Sequence, residues 1–256
     1  TYKVFDWVLA NPKPDLHLNV TSNFCPPNEK LWEKYLDYVK RICAKDNVEH
    51  FMNFVSIDTW GSQAEYIRRG LDFDRMWNNV NNYLTRVDEG LVTFIVTFNM
   101  LSLPSIQRLM EGILELQRIH NVTKSRRDDS GKIVVYGHSK VFLDTPMLRH
   151  PEWQSLQLTP KSHWYLADEC LAFMKENQDR HRASRWIGFK PHQIERFDRS
   201  IEFMKQGFDN DQQKQDAEEN FVRFFGAHDY RRKTDFSHTF PEFAQLFLDL
   251  KEKHNV

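Results

Sequence analysis

The 256 residues are 40% hydrophobic and 28% charged, ordinary for a globular chain of one large or two smaller domains and unlike a disordered one. Lys and Arg number 35 against 36 Asp and Glu, a formal net charge of −1, so no global basic field argues for nucleic acid. The cysteines, Cys25, Cys43 and Cys170, are 3 in number and far apart, which excludes a disulfide framework and a paired metal knuckle.

No apolar run is long enough to span a bilayer, and the N-terminus lacks a secretory pattern. A soluble, cytoplasmic protein with a small-molecule or peptide substrate and no membrane or nucleic-acid partner is expected. Aromatic residues make up 14% of the chain, with 20 Phe and 7 Trp, which predicts large buried side chains. The chain opens on Thr1 within a helical pattern, so a preceding N-terminal part is expected.

Val4, Phe5, Val8 and Leu9 have helical spacing, which the Pro12 and Pro14 region ends. Leu16 to Thr21 alternates as a strand and closes on Thr21-Ser22-Asn23. Glu29 to Cys43 carries Leu31, Trp32, Tyr35, Leu36, Val39 and Ile42 on one helical face. The strand Phe51 to Ile57 follows, then a helix over Asp74 to Leu84.

Leu91 to Phe98 is nearly continuous in apolarity and rich in β-branched and aromatic residues, as in a strand covered on both faces. Leu103-Pro104-Ser105 opens a helix with Pro in a first-turn position. Thr123 to Gly131 reads as a polar linker, Lys132 to Tyr136 as a strand, and Val141 to Asp144 as its continuation beyond a bend at Gly137. From about Pro151 the strand signal stops, and helices are predicted over Trp164 to Asn177, Pro191 to Gly207, Asp211 to Phe225 and Pro241 to His254.

The order of elements predicts an α/β fold, a partial (β/α) barrel with parallel strands over residues 1–150 and a helical C-terminal extension over 151–256. Ligands in such folds sit at the C-terminal ends of the strands. Three strand ends carry polar groups there: Thr21-Ser22-Asn23, Ser56-Ile57-Asp58 and Thr97-Phe98-Asn99. Ser56 and Asp58 are two apart on a strand and share a face, so they can meet one ligand, such as a ribose. A helix cap is the competing reading of the same two residues.

Arg68 and Arg69 can supply a guanidinium fork to a carboxylate or phosphate, or be surface arginines. The run from His228 to Lys233, with Asp235 and His238, matches no metal-ligand spacing and reads as a solvated turn. A serine-hydrolase elbow is absent.

The succession of a strand ending in TSN, a strand ending in VSID, the segment EYIRRG, the stretch TFNMLSLPS and the tail FFGAHDYRRKTDFSHTFPE resembles the radical S-adenosylmethionine enzymes, in the branch with a twitch domain. The resemblance covers nearly the whole chain. It implies that the intact protein cleaves S-adenosylmethionine reductively at a [4Fe–4S] cluster, fed by a reductant such as a flavodoxin or ferredoxin, and abstracts hydrogen from a substrate. Carried over, Ser56 and Asp58 line the ribose, Arg68 or Arg69 meets the methionine carboxylate, and Asn23 and Asn99 lie near the pocket.

The CxxxCxxC cluster motif and the GGEP element of that family are absent from this sequence, and the cysteines are too few for an auxiliary cluster. On its own, this chain is therefore expected to be inactive. A reading from another class is a non-catalytic module that binds a protein or peptide on an incomplete barrel.

Overall fold

The computed structural model describes residues 1–44, 47–127, 133–179 and 187–256. Helix α1 (Tyr2–Ala10) leads into strand β1 (Lys13–Ser22), helix α2 (Glu29–Ile42) and strand β2 (Val48–Ser56). Helices α3 (Gly61–Ile67) and α4 (Phe73–Arg86) precede strand β3 (Leu91–Ile95), and helix α5 (Ile106–His120) follows it. Strands β4 (Val122–Arg127), β5 (Ile133–His138) and β6 (Val141–Asp144) complete the first half.

Local chemistry fixes the helix ends. The Asn28 side chain accepts the Leu31 N–H at the start of α2, and Asp72 accepts the Arg75 N–H at the start of α4, the usual way a short polar side chain satisfies an orphan donor. Lys40 and Arg41 sit in the last turn of α2, where they complement the helix dipole.

β1, β2, β3 and β6 form one parallel sheet in that order. Their register sorts the side chains into two sets. On one face Val20, Asn53, Val92 and Val141 lie abreast, followed by Val55, Phe94 and Leu143. The apolar members of the central strands join Leu36 of α2, Met76 and Val80 of α4, and Leu109 and Ile113 of α5 in the main core.

The opposite face carries Thr21, Phe54, Thr93 and Phe142 in one row and Ser56, Ile95 and Asp144 in the next. Thr93 is buried, but Thr21 is exposed and Phe54, Phe142, Ser56, Ile95 and Asp144 are half-buried. The sheet is thus open: packed on one face and only partly covered on the other.

Residues Val141 to Asp144 do not continue the strand before them. β5 pairs antiparallel with β4 in a separate two-stranded sheet, while β6 pairs with β3 in the main sheet. Part of the expected polar linker is therefore the strand β4. Its sequence, Val-Thr-Lys-Ser-Arg-Arg, conceals it, because a nearly continuous polar run shows neither the alternation nor the apolarity that marks a strand.

The second half is helical: α6 (Trp164–Glu176), α7 (Pro191–Gln206), α8 (Asp211–Arg232), the short α9 (Phe236–Thr239) and α10 (Ala244–His254). α6 and α7 extend the main core through Cys170, Met174, Phe197 and Ile201. α8 to α10 build a second core of Phe221, Phe225, Phe236, Phe240, Phe243 and Phe247, into which Tyr66 projects from α3, and Met100 and Leu101 from the turn after β3. Among the described residues, no helix is long and apolar enough to cross a membrane.

Candidate functional site at the strand C-termini

The sheet ladder runs on past the named strands. Ile57 N–H donates to Ile95 O at 3.1 Å, Val96 N–H to Asp144 O at 2.8 Å and Phe98 N–H to Pro146 O at 2.8 Å. Ile57, Val96 and Phe98 are fully buried, so alternation sets Ser56, Asp58, Ile95 and Thr97 on the open face at its C-terminal rim.

Asp58 does not cap the helix that follows it. The N-cap of α3 is Trp60, which makes no side-chain cap bond. The Asp58 carboxylate is instead gripped by Arg68, whose Nε lies 2.6 Å from Oδ2 and whose Nη2 donates to Oδ1 at 3.0 Å. The Asp58 side chain is 6% exposed and that of Arg68 30%. Burial pushes the Asp58 carboxyl above the usual carboxylate range, opposed by the Arg68 charge and hydrogen bond and by the Thr97 backbone.

A fork held along one edge, Nε and Nη2, by a buried carboxylate is fixed in orientation, and Arg68 is the more accessible partner. Ser56, half-buried beside this pair on the same face, makes no side-chain hydrogen bond among the described residues. Across the rim Asp144 forms a second ion pair, with Arg196 of α7. The strand-end rule also covers Asp144; reading β6 as a strand continuation hid it.

The other residues named from sequence are placed elsewhere or occupied. Asn23 is exposed, and its Oδ1 accepts the Cys25 N–H at 3.1 Å; with Ser22 Oγ accepting the Phe24 N–H at 3.1 Å, it shapes the turn in which Phe24 takes a positive φ of 51°. Asn99 is buried, accepts the Leu101 N–H at 2.9 Å and donates to Thr97 O at 2.7 Å. Both ends of that amide cap the turn before α5. Arg69 is exposed and faces a different cleft, toward α8.

Sequence reading missed the network that holds the rim in place. Thr59 Oγ1 donates to Ser102 O at 2.9 Å and lies 2.7 Å from Ser105 Oγ; Ser105 Oγ donates to Gln63 Oε1 at 2.5 Å, and Gln63 Nε2 donates to Thr239 O at 3.0 Å. These bonds tie the β2 loop to the start of α5 and to α9. Trp60 adds an aromatic anchor, 4.5 Å from Phe73 and 4.8 Å from Trp77 between ring centroids.

An iron–sulfur cluster does not fit this chain. Cys25 follows β1, Cys43 ends α2 and Cys170 lies within α6, and burial pushes the thiols of Cys43 and Cys170 up to about 12, away from the thiolate form that ligates iron. No group of three or more His, Cys, Asp or Glu among the described residues is placed to hold a metal ion.

No protein-family model matches the chain, and no curated protein matches it.

Proposed function

We propose that this chain is a sector of a (β/α) barrel enzyme of the radical S-adenosylmethionine type, with the open sheet face as the wall of the barrel lumen. The reading rests on one observation: a guanidinium fixed by a buried carboxylate stands at the C-terminal rim of the parallel strands β1, β2, β3 and β6, on the partly covered face that carries Asp58. That is where a barrel presents its ligand.

In this reading Arg68 receives the methionine carboxylate of S-adenosylmethionine, Ser56 hydrogen-bonds a ribose hydroxyl, and Asp58 acts as a positioning residue for Arg68. The iron–sulfur cluster would have to be held outside these 256 residues, and no step through it is assigned to the residues present.

Calorimetric titration with S-adenosylmethionine tests the assignment. Saturable binding is expected, weakened about tenfold or more by Arg68→Ala through loss of a charge-assisted hydrogen bond. Equal affinity in wild type and variant would remove the assignment.

One observation favours the second reading, a protein- or peptide-binding module. Met52, Phe54, Ile95 and Phe142 leave apolar surface half-exposed on the same face. An apolar peptide ligand that binds regardless of Arg68 would select it.

A further inference from the structure

Consecutive arginines leave α3 in different directions. Arg68 has an extended backbone, with φ −110° and ψ 95°, and successive side chains on extended backbone diverge. Arg68 turns back to Asp58, while Arg69 faces a cleft of about 320 Å³ between the end of α3 and the end of α8. Arg231 and Arg232 line the same cleft, with Glu65 and His228.

The floor of the cleft is fixed by bonds in which Arg69 and Arg231 take no part. Tyr66 Oη donates to Asp229 Oδ1 at 2.7 Å, Thr234 Oγ1 donates to the same oxygen at 2.8 Å, and the Phe236 N–H donates to Oδ2 at 2.8 Å. Asp229 is thus satisfied by neutral donors. The Tyr66 and His228 rings lie 4.4 Å apart, and Arg232 Nη1 lies 2.8 Å from His228 Nε2.

An arginine can only donate, so His228 accepts at Nε2 and its ring is neutral. Burial and the Arg232 charge push its pKa down in the same direction. Among the described residues, Arg69, Arg231 and Arg232 have no carboxylate in ion-pair contact. Glu65, the one carboxylate lining the cleft, accepts the Phe73 N–H at 2.8 Å.

Against the three guanidinium groups stand the carboxylates of Glu65 and Asp229 and roughly half a negative charge from the C-terminal dipole of α8, which leaves a small positive balance. A single carboxylate occupies one fork, whereas several forks around one cleft match the oxygens of a phosphate. We propose that this cleft binds the phosphate portion of a small phosphorylated ligand through Arg69, Arg231 and Arg232.

Calorimetric titration of the whole chain with pyrophosphate at constant ionic strength tests it, with acetate as competitor. The double variant Arg69→Gln, Arg231→Gln loses no intramolecular hydrogen bond or ion pair among the described residues, and its circular dichroism reports whether the fold is kept. Arg223→Gln, on the same helix but paired with Glu219, is the control.

Saturable binding is expected in wild type and in Arg223→Gln, about 100-fold weaker in the double variant, with acetate failing to compete. If the double variant unfolds, Arg231→Gln alone carries the test, with an expected loss of about tenfold. Absence of saturable binding by wild type, unchanged affinity in the arginine variants, or competition by acetate equal to that by pyrophosphate would overturn the proposal.

Discussion

Arg68 meets the buried Asp58 carboxylate along one edge of its guanidinium, with Nε 2.6 Å from Oδ2 and Nη2 3.0 Å from Oδ1. Removing one partner leaves a buried charge without its counterion, which is costlier than removing both. Arg68→Met is expected to lower stability by about 2 to 3 kcal/mol at neutral pH, with Asp58→Asn, Arg68→Met recovering most of it. Urea denaturation of the single and double variants checks this; a double variant no more stable than Arg68→Met would contradict it.

The same pair sets a pH dependence. The folded-state pKa of Asp58 is raised above the ordinary 3.8, so the folded protein binds this proton more tightly than the unfolded chain does. Its contribution to stability is full below 3.8 and is lost as pH rises through the folded pKa. Without Arg68 the opposing attraction disappears and the folded pKa climbs further. The stability deficit of Arg68→Met should therefore shrink as the solution is acidified from neutrality. Unfolding curves at a neutral and a mildly acidic pH, compared with wild type, measure the difference; a deficit independent of pH would refute the assignment of Asp58 as a strained, buried acid.

Asn99 and Ser56 are both strand-end polar residues, yet their roles separate. Asn99→Ala removes the cap before α5, with an expected loss of about 1 kcal/mol and no change in ligand affinity. Ser56→Ala removes no intramolecular bond among the described residues and should leave stability within about 0.5 kcal/mol while weakening the ligand. Thermal melts and titrations on the two variants would show opposite patterns; the same pattern in both would not fit.

Tyr66 joins the halves of the molecule, with its hydroxyl on Asp229 and its ring in the Phe225, Phe236 and Phe240 cluster. Tyr66→Phe keeps the ring and drops the bond, so a loss of about 1.5 to 3 kcal/mol is expected for a hydrogen bond to a charged group. Hydrogen exchange should localise the loosening to α8 and α9. Unchanged protection there would mean that the bond contributes nothing to docking.

Gly112 allows the aromatic anchor of the rim to close. A Cβ on it would lie 2.7 Å from the Trp60 ring and 2.8 Å from that of Trp77. Alanine in mid-helix ordinarily gains up to about 1 kcal/mol over glycine, but overpacking of this order costs about 1 to 3 kcal/mol. Gly112→Ala should therefore lower the melting temperature, with a changed tryptophan emission spectrum; a stabilised variant would show that the helix preference wins.

The helices were legible wherever an apolar stripe repeats, as in α2 and α4, and the parallel strands wherever β-branched and aromatic residues run together, as in β3. Of the β4–β5 hairpin only the second, apolar strand was; β4, Val-Thr-Lys-Ser-Arg-Arg, carries no strand pattern, and its pairing is local and outside the main sheet. At the site, the register of β2 placed Ser56 and Asp58 on one face correctly, since alternation is a property of the backbone. What sequence could not assign was partnership. Asn99 bonds its own turn, Arg68 bonds Asp58, and Arg69, one residue later, faces α8; these outcomes depend on where α3 ends in space.

The most direct test of the central claim is a crystal structure of the protein with S-adenosylhomocysteine. The proposed function predicts the amino-acid carboxylate on Arg68 and a ribose hydroxyl within hydrogen-bond distance of Ser56, with the Asp58 pair intact. A ligand seated away from the open sheet face, or none bound at saturating concentration, would contradict it.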